Sequence, residues 1–140
     1  MLTGRPFLAL LLALLPAPLA CGSGADSGGG GGDTSAGGSS FADVEASMQS
    51  TCASSACHGG TSPPDLRTGN AYDALINVTS TYDSTQTLVI PGDSANSYLV
   101  KKISGASGIT GVPMPSGSSA WDSHDVNMVR DWIDAGASRN

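Results

Sequence analysis

Two of the three cysteines and one of the two histidines lie within the ten residues TCASSACHGG, as Cys52, Cys57 and His58. Two thiols and an imidazole this close together support four kinds of chemistry. They can attach a haem covalently, form a disulfide, bind zinc, or exchange electrons as thiols. The spacing of the three residues and the rest of the chain separate these possibilities.

Covalent haem attachment needs two thiols that reach the two vinyl groups, and a histidine directly after the second thiol, so that its ring lies under the iron. The usual pattern is C-x-x-C-H. Here His58 follows Cys57 directly, but four residues rather than two separate the thiols. Those four, residues 53–56, are Ala or Ser, and the extra two can bulge without altering the Cys57–His58 half. We therefore predict that Cys52 and Cys57 hold a haem and that His58 is the proximal ligand.

The opposite face of the iron needs a second ligand, and small electron-transfer cytochromes use a methionine on a loop far along the chain. Met114 lies between two prolines, which stiffen the loop and reduce the entropy lost when a thioether is held on iron. Met48 and Met128 fall on predicted helices, where methionine more often packs in the core. Met114 is therefore the predicted distal ligand, and His124 is the alternative.

Three other uses of the same residues compete with haem binding. A Cys52–Cys57 disulfide is chemically permitted in an exported protein and needs no cofactor, although its short loop gives only modest stabilisation. Zinc could take Cys52, Cys57, His58 and His124, but adjacent residues have difficulty occupying two corners of one tetrahedron. Thiol oxidoreductases place C-x-x-C at the start of a helix, which this longer spacing after a predicted helix does not match.

The N-terminus predicts export and anchoring. Residues 1–20 carry one basic charge, an apolar run and a Pro/Ala-rich end, which is the pattern of a signal peptide and is too short to span a bilayer. Ala20 before Cys21 resembles the lipobox of bacterial lipoproteins, with Leu19 one position later than usual. We expect Cys21 to be lipidated. Residues 21–40 then form a Gly/Ser-rich linker, which spans about 25 Å as a coil.

Composition limits the function of the remaining 100 residues, 41–140, which have room for one domain. The mature chain has 5 basic and 12 acidic residues, a net charge of −7, which argues against nucleic acid as a partner. No Ser/His/Asp order, carboxylate pair or phosphate loop indicates an enzyme. Large apolar residues make up about a quarter of the domain, and so small a core often needs a disulfide, a metal or a buried cofactor.

Local signals predict four short helices. The first runs from about 41 to 52 after a capping box at Ser40, and the second is NAYDALINV, capped by Asn70. The third spans roughly 95–103 after a cap at 93 or 94, and the last starts at Ser123 and ends at Gly136. TLVI at 87–90 reads as a small strand or a buried loop, and 104–122 as a long functional loop.

The order of these elements resembles the small cytochrome c-like domains of exported bacterial lipoproteins. The resemblance rests on CASSACHG, LRTGNAYDAL, PGDSANSYLVKKI, MP and WIDAGA, and covers nearly all of 41–140. It implies an all-α, cytochrome c-like fold of about four short helices with long Gly/Pro loops around a haem pocket. Candidate pocket walls are Tyr72, Tyr98, Trp121 and Trp132.

The same resemblance implies one covalent haem c and a non-enzymatic role as an electron carrier. The chain would be a lipoprotein of a bacterial cell envelope, on the periplasmic side or at the cell surface, held to the membrane through Cys21 and exchanging electrons with a redox protein that the sequence does not identify. The alternative is a haem-free lipoprotein that keeps the fold as a structural or binding module with a Cys52–Cys57 disulfide.

If Cys21 carries the anchor, the protein partitions with membranes, and Cys21→Ser releases it into the soluble fraction without changing the circular dichroism spectrum of the domain. Fractionation followed by intact-mass analysis tests this. A mature N-terminus without lipid would contradict the prediction.

Overall fold

Four helices joined by long loops make up the part of the chain that the structure, a computed structural model, describes: residues 38–117 and 121–140. The helices are α1 (Phe41–Thr51), α2 (Ala71–Leu75), α3 (Tyr98–Ser104) and α4 (Ser123–Asp134). Within these two ranges there is no sheet, and the only strand-like pairings are two isolated bridges, Ile76–Val89 and Thr79–Thr87. The all-α prediction is confirmed. The predicted signal peptide, Cys21 and residues 22–37 of the linker lie outside the described residues.

Helix α1 follows the local prediction to within one residue. The Ser40 hydroxyl accepts a hydrogen bond from the Asp43 N–H at 3.3 Å, and the Asp43 carboxylate accepts one from the Ser40 N–H at 3.1 Å, which completes the capping box. Phe41, Val44 and Met48 are buried along one stripe. Cys52 is the C-cap, and its N–H donates to Met48 O at 2.7 Å. The packed face of α1 therefore leads directly into the cysteine segment.

Helix α4 begins where the sequence predicts, at Ser123, and ends at Asp134 with Ala135 as its C-cap, so the predicted Gly136 lies one residue beyond the cap. Its N-cap Asp122 accepts from the Asp125 N–H at 2.9 Å. At the other end the Gly136 N–H donates to Ile133 O and the Ala137 N–H to Trp132 O, with Gly136 at φ 102°. These two bonds form a Schellman motif, which favours glycine because the backbone there is left-handed. Four residues on one face are buried, namely Val126, Val129, Trp132 and Ile133.

Helix α2 is shorter than predicted, and its predicted cap is not made. The Asn70 side chain donates to the Asp65 carboxylate at 2.9 Å and does not bond to the helix. The helix ends at Leu75 because Ile76 is extended and Asn77 has a positive φ of 54°. A side-chain partner from the preceding loop has replaced the local capping interaction.

Helix α3 begins three residues later than the predicted start near 95. The Asp93 carboxylate accepts from the Asn96 N–H at 3.1 Å, and the Ser97 hydroxyl donates to Asp93 O at 2.8 Å. These bonds fold 93–97 into a turn, so Ser97 becomes the N-cap. The residues expected to cap the helix stabilise the turn before it.

The TLVI segment is a buried loop and not a strand. The Leu88 N–H donates to Val78 O, just after α2, at 2.8 Å, and the Val89 N–H donates to the O of Leu75, the last residue of α2, at 3.1 Å. Both side chains are buried. The segment therefore joins α2 to the core without building a sheet.

The core lies where α4 packs against both α1 and α3. Trp132, Tyr98 and Met48 are the largest of its fully buried side chains. The Trp132 ring lies 5.3 Å from that of Phe41, and Phe41 meets Tyr72 edge-on at 5.1 Å. No helix within the described ranges has the length and apolar character needed to cross a membrane.

Candidate functional site

The cysteine segment is a tight loop directly after α1. The His58 N–H donates to Cys52 O at 3.0 Å, and the N–H groups of Cys57 and Gly59 both donate to Ser54 O, at 3.0 and 2.9 Å. Residues 54–56 are exposed on the outside of this loop. The chain thus returns to the end of α1, and three of the four intervening residues, 54–56, bulge outward while Ala53 packs against the core.

Gly59 is required by this loop because of a close backbone approach. A Cβ at this position would lie 2.5 Å from Ala53 O and 2.6 Å from Ser54 O, distances that real side chains do not adopt. Since both obstacles are backbone atoms, a side chain at 59 would displace the loop that carries His58.

The two thiols lie in different environments. Cys52 is buried with the core residues, whereas Cys57 is exposed, and both are free thiols in this structure. Burial raises the pKa of the Cys52 thiol from 9.0 to about 11, with a smaller contribution from the nearby Cys57. The sequence analysis assigned Cys52 and Cys57 the same role, which is to hold a haem. In the structure Cys52 is part of the core and Cys57 is accessible to solvent.

The His58 ring is fixed from one side. Its Nδ1 lies 3.2 Å from Ser62 O and 3.1 Å from Pro64 O. Carbonyl oxygens only accept hydrogen bonds, so this network assigns the proton to Nδ1 and leaves the lone pair on Nε2. Nε2 has no hydrogen-bond partner in the part of the chain described, and is the atom that would bind a metal. Sequence reasoning missed these carbonyls; the prolines at 63 and 64, which stiffen the loop, were the available signal.

Met114 is positioned separately, at the end of α3. Its N–H donates to Lys102 O at 2.9 Å, and its side chain is half-buried. The hydrogen bonds therefore attach Met114 to α3 and His58 to the 62–66 loop, and none of them joins the two segments directly. The methionines expected in the core lie there: Met48 is fully buried, and Met128 packs against the core.

His124 is solvated in the first turn of α4, with 87% of its side chain exposed and Nδ1 3.6 Å from the Asp125 carboxylate. Together with Asp122 these two residues place three possible ligand atoms within 4.8 Å of one another. In the described ranges, the two cysteines and two histidines do not form such a cluster. Because Cys52 points into the core and His124 into solvent, the zinc arrangement is not built.

A shallow depression of about 420 Å³ lies beside the start of α1 and along α4, lined by Ser39, Asp43, His124, Asn127, Met128 and Asp131. Cys52 is at the opposite end of α1. Five of its six lining residues are polar and none of them is a cysteine, so the depression is not the predicted haem site.

The cysteine segment presents two donor groups of the types that covalent haem attachment uses. His58 has an oriented imidazole with Nε2 available, and the adjacent Cys57 thiol is accessible. Trp121 Nε1 is a buried donor that has no acceptor among the residues described. Cys52 imposes a condition: because it is buried, a porphyrin bonded to both thiols must lie with one edge against the core.

No family model matches the sequence, and neither the curated proteins nor the solved structures contain a significant match to it. The function must therefore be argued from the residues of this chain.

The different environments of the thiols predict selective alkylation. In reduced, haem-free protein carrying Cys21→Ser, iodoacetamide at pH 8 should label Cys57 first. The raised pKa of Cys52 leaves it about 100-fold less thiolate than a thiol of ordinary pKa, and burial slows it further. Its labelling should rise as the pH approaches 11. Peptide mass spectrometry measures both rates, and protein unfolded in urea, where the two should react alike, is the control. Equal rates in the folded protein would contradict the described burial.

Proposed function

We propose that this chain is a membrane-tethered, cytochrome c-like electron carrier that binds one covalent haem. The observation that carries the proposal is the state of His58, whose Nδ1 is bonded to two carbonyls and whose Nε2 is unpaired beside an accessible thiol. The His58 ring is half-buried, so one face of it is held by the loop while a ligand can still approach it. Cys52 and Cys57 would hold the porphyrin, with His58 and Met114 as axial ligands.

A bound haem would supply a one-electron iron couple, and the chain would set its properties. The carbonyls of Ser62 and Pro64 fix the tautomer of His58 and orient its ring. Imidazole and thioether are neutral ligands, so in an apolar pocket they favour the less charged, reduced iron and raise the potential. The lipid on Cys21 and the linker to residue 40 would keep the domain near the membrane, where it could meet a redox protein.

A haem-free lipoprotein with a Cys52–Cys57 disulfide is the second candidate. The observation that favours it is the core itself, because Met48, Tyr98 and Trp132 are already fully buried without any cofactor. The loop after α1 also returns to Cys52, whose carbonyl accepts from the N–H of His58 at 3.0 Å, so both cysteines belong to one tight loop. In this form the domain would act as a binding or structural module.

Haem attachment is tested by producing the protein with a cytochrome maturation system. The visible spectrum should show a haem, and the colour should persist after denaturation and acid-acetone extraction, because thioether bonds survive both. Replacing both cysteines (Cys52→Ala with Cys57→Ala) should make the haem extractable. A colourless wild-type protein whose intact mass shows a Cys52–Cys57 disulfide would establish the second candidate.

The role of Met114 is tested by Met114→Ala. Oxidised wild-type protein should show the weak near-infrared band of thioether-ligated ferric haem, and the variant should lose it while keeping its haem, because the cysteines and His58 are unchanged. The potential should fall as water or another side chain takes the free position.

Met48→Leu and Met128→Leu are matched controls for the loss of a methionine. They conserve volume, should cost less than about 1.5 kcal/mol, and should leave the spectrum unchanged. If Met114→Ala resembles the wild type and His124→Ala changes the spectrum, the distal ligand is His124.

A further inference from the structure

We infer that Lys102 is the positioning residue of the Met114 loop, holding residues 110–114 against the last turn of α3 through both its side chain and its backbone. The inference rests on the proposed role of Met114 as an iron ligand. The contact itself, however, belongs to the folded chain whether or not a haem is bound.

Three hydrogen bonds join Lys102 to this loop. Its Nζ donates to Thr110 O at 3.0 Å and to Val112 O at 2.6 Å. Its own carbonyl accepts from the Met114 N–H at 2.9 Å. Lys102 thus contacts the loop at residues 110, 112 and 114. The last of these contacts is to the backbone of Met114, the predicted ligand. Bonds from an ammonium are stronger than neutral ones, which suits a loop that has no regular structure of its own.

The backbone conformation of the loop allows two of its carbonyls to accept from the Lys102 ammonium. Gly111, between the two accepting carbonyls, has φ 78°, and a Cβ there would lie 3.9 Å from Lys102 Nζ. The left-handed backbone at this glycine lets the carbonyls on either side face the same cation. The buried Tyr98 supports the arrangement: its hydroxyl accepts from the Thr110 N–H at 2.9 Å, and its ring centroid lies 5.9 Å from Lys102 Nζ.

Lys101 provides a matched comparison on the same turn of α3. Its Nζ donates to Gln86 Oε1 at 3.0 Å and does not bond to the 110–114 loop. Replacing either lysine by methionine removes one positive charge and keeps an unbranched side chain of similar length. An effect specific to Lys102 is therefore an effect of loop positioning and not of net charge.

The experiment compares Lys102→Met, Lys102→Arg and Lys101→Met by two measurements. In haem-free protein, amide hydrogen exchange at Met114 should accelerate on the order of tenfold in Lys102→Met, because the loop opens more readily. In haem-loaded protein the same variant should lose most of the near-infrared band at unchanged haem content, with a larger fall in potential than Lys101→Met. Lys102→Arg, which can still donate to both carbonyls, should restore a large part of each signal.

The two measurements separate this inference from the proposed function. A wild-type protein without the near-infrared band would contradict the role of Met114, and the exchange rates would still decide whether Lys102 holds the loop. If Lys102→Met and Lys101→Met give the same exchange rate and the same spectrum, the inference about Lys102 is overturned and the proposed function is not affected. Should Lys102→Met not fold, Lys102→Gln replaces it: its shorter, neutral side chain removes the bonds to Thr110 O and Val112 O, and exchange at Met114 equal to that of Lys101→Gln would overturn the inference.

Discussion

Packing of α4 against α1 and α3 is the contact on which the other features of this domain depend. The apolar stripe of α4 is fully covered at Val129, Trp132 and Ile133. Helix α1 ends at Cys52, and α3 leads into the loop that carries Met114. Because both helices pack on α4, that helix sets the relation between two segments that no hydrogen bond joins directly. The chemistry proposed for the chain therefore depends on a hydrophobic interface that contains none of the proposed ligands.

Polar contacts fix the C-terminal end of α4 in that interface. Asp134, at the end of α4, accepts from the N–H and the hydroxyl of Ser94, both at 2.9 Å, and the Gly92 N–H donates to Ile133 O at 2.7 Å. These bonds hold the turn before α3 against α4. Beyond the helix, Ala137 O accepts from the Tyr72 hydroxyl at 2.9 Å, which attaches α2 to the same end of the core. The core has few large apolar residues, and these polar contacts add to the attachment of α2 and α3 to α4.

Functional groups lie on loops, and a rigid helical frame positions them. His58 is oriented by backbone carbonyls of its own loop, and Met114 by an α3 carbonyl, so each is held by main-chain atoms that do not titrate. Cys52 differs, since it belongs to the core and its thiol is shielded from water. The proposed site thus combines one cysteine in the core with groups on two separate loops, and the packing of the helices sets the distance between those loops.

The sequence alone determined α1 and α4, because their capping residues and apolar periodicity act within a few residues of each other. It also identified the segment with the thiols and imidazole, and the methionine outside the helices. Tertiary structure decided the rest. Asn70 bonds to Asp65 and so does not cap α2, and Asp93 and Ser97 close a turn that delays α3. In each case one polar side chain had two possible partners, and the choice between them depends on how the loops pack. The burial of Cys52 but not Cys57 likewise depends on residues distant in sequence, since the shielding comes from the assembled core.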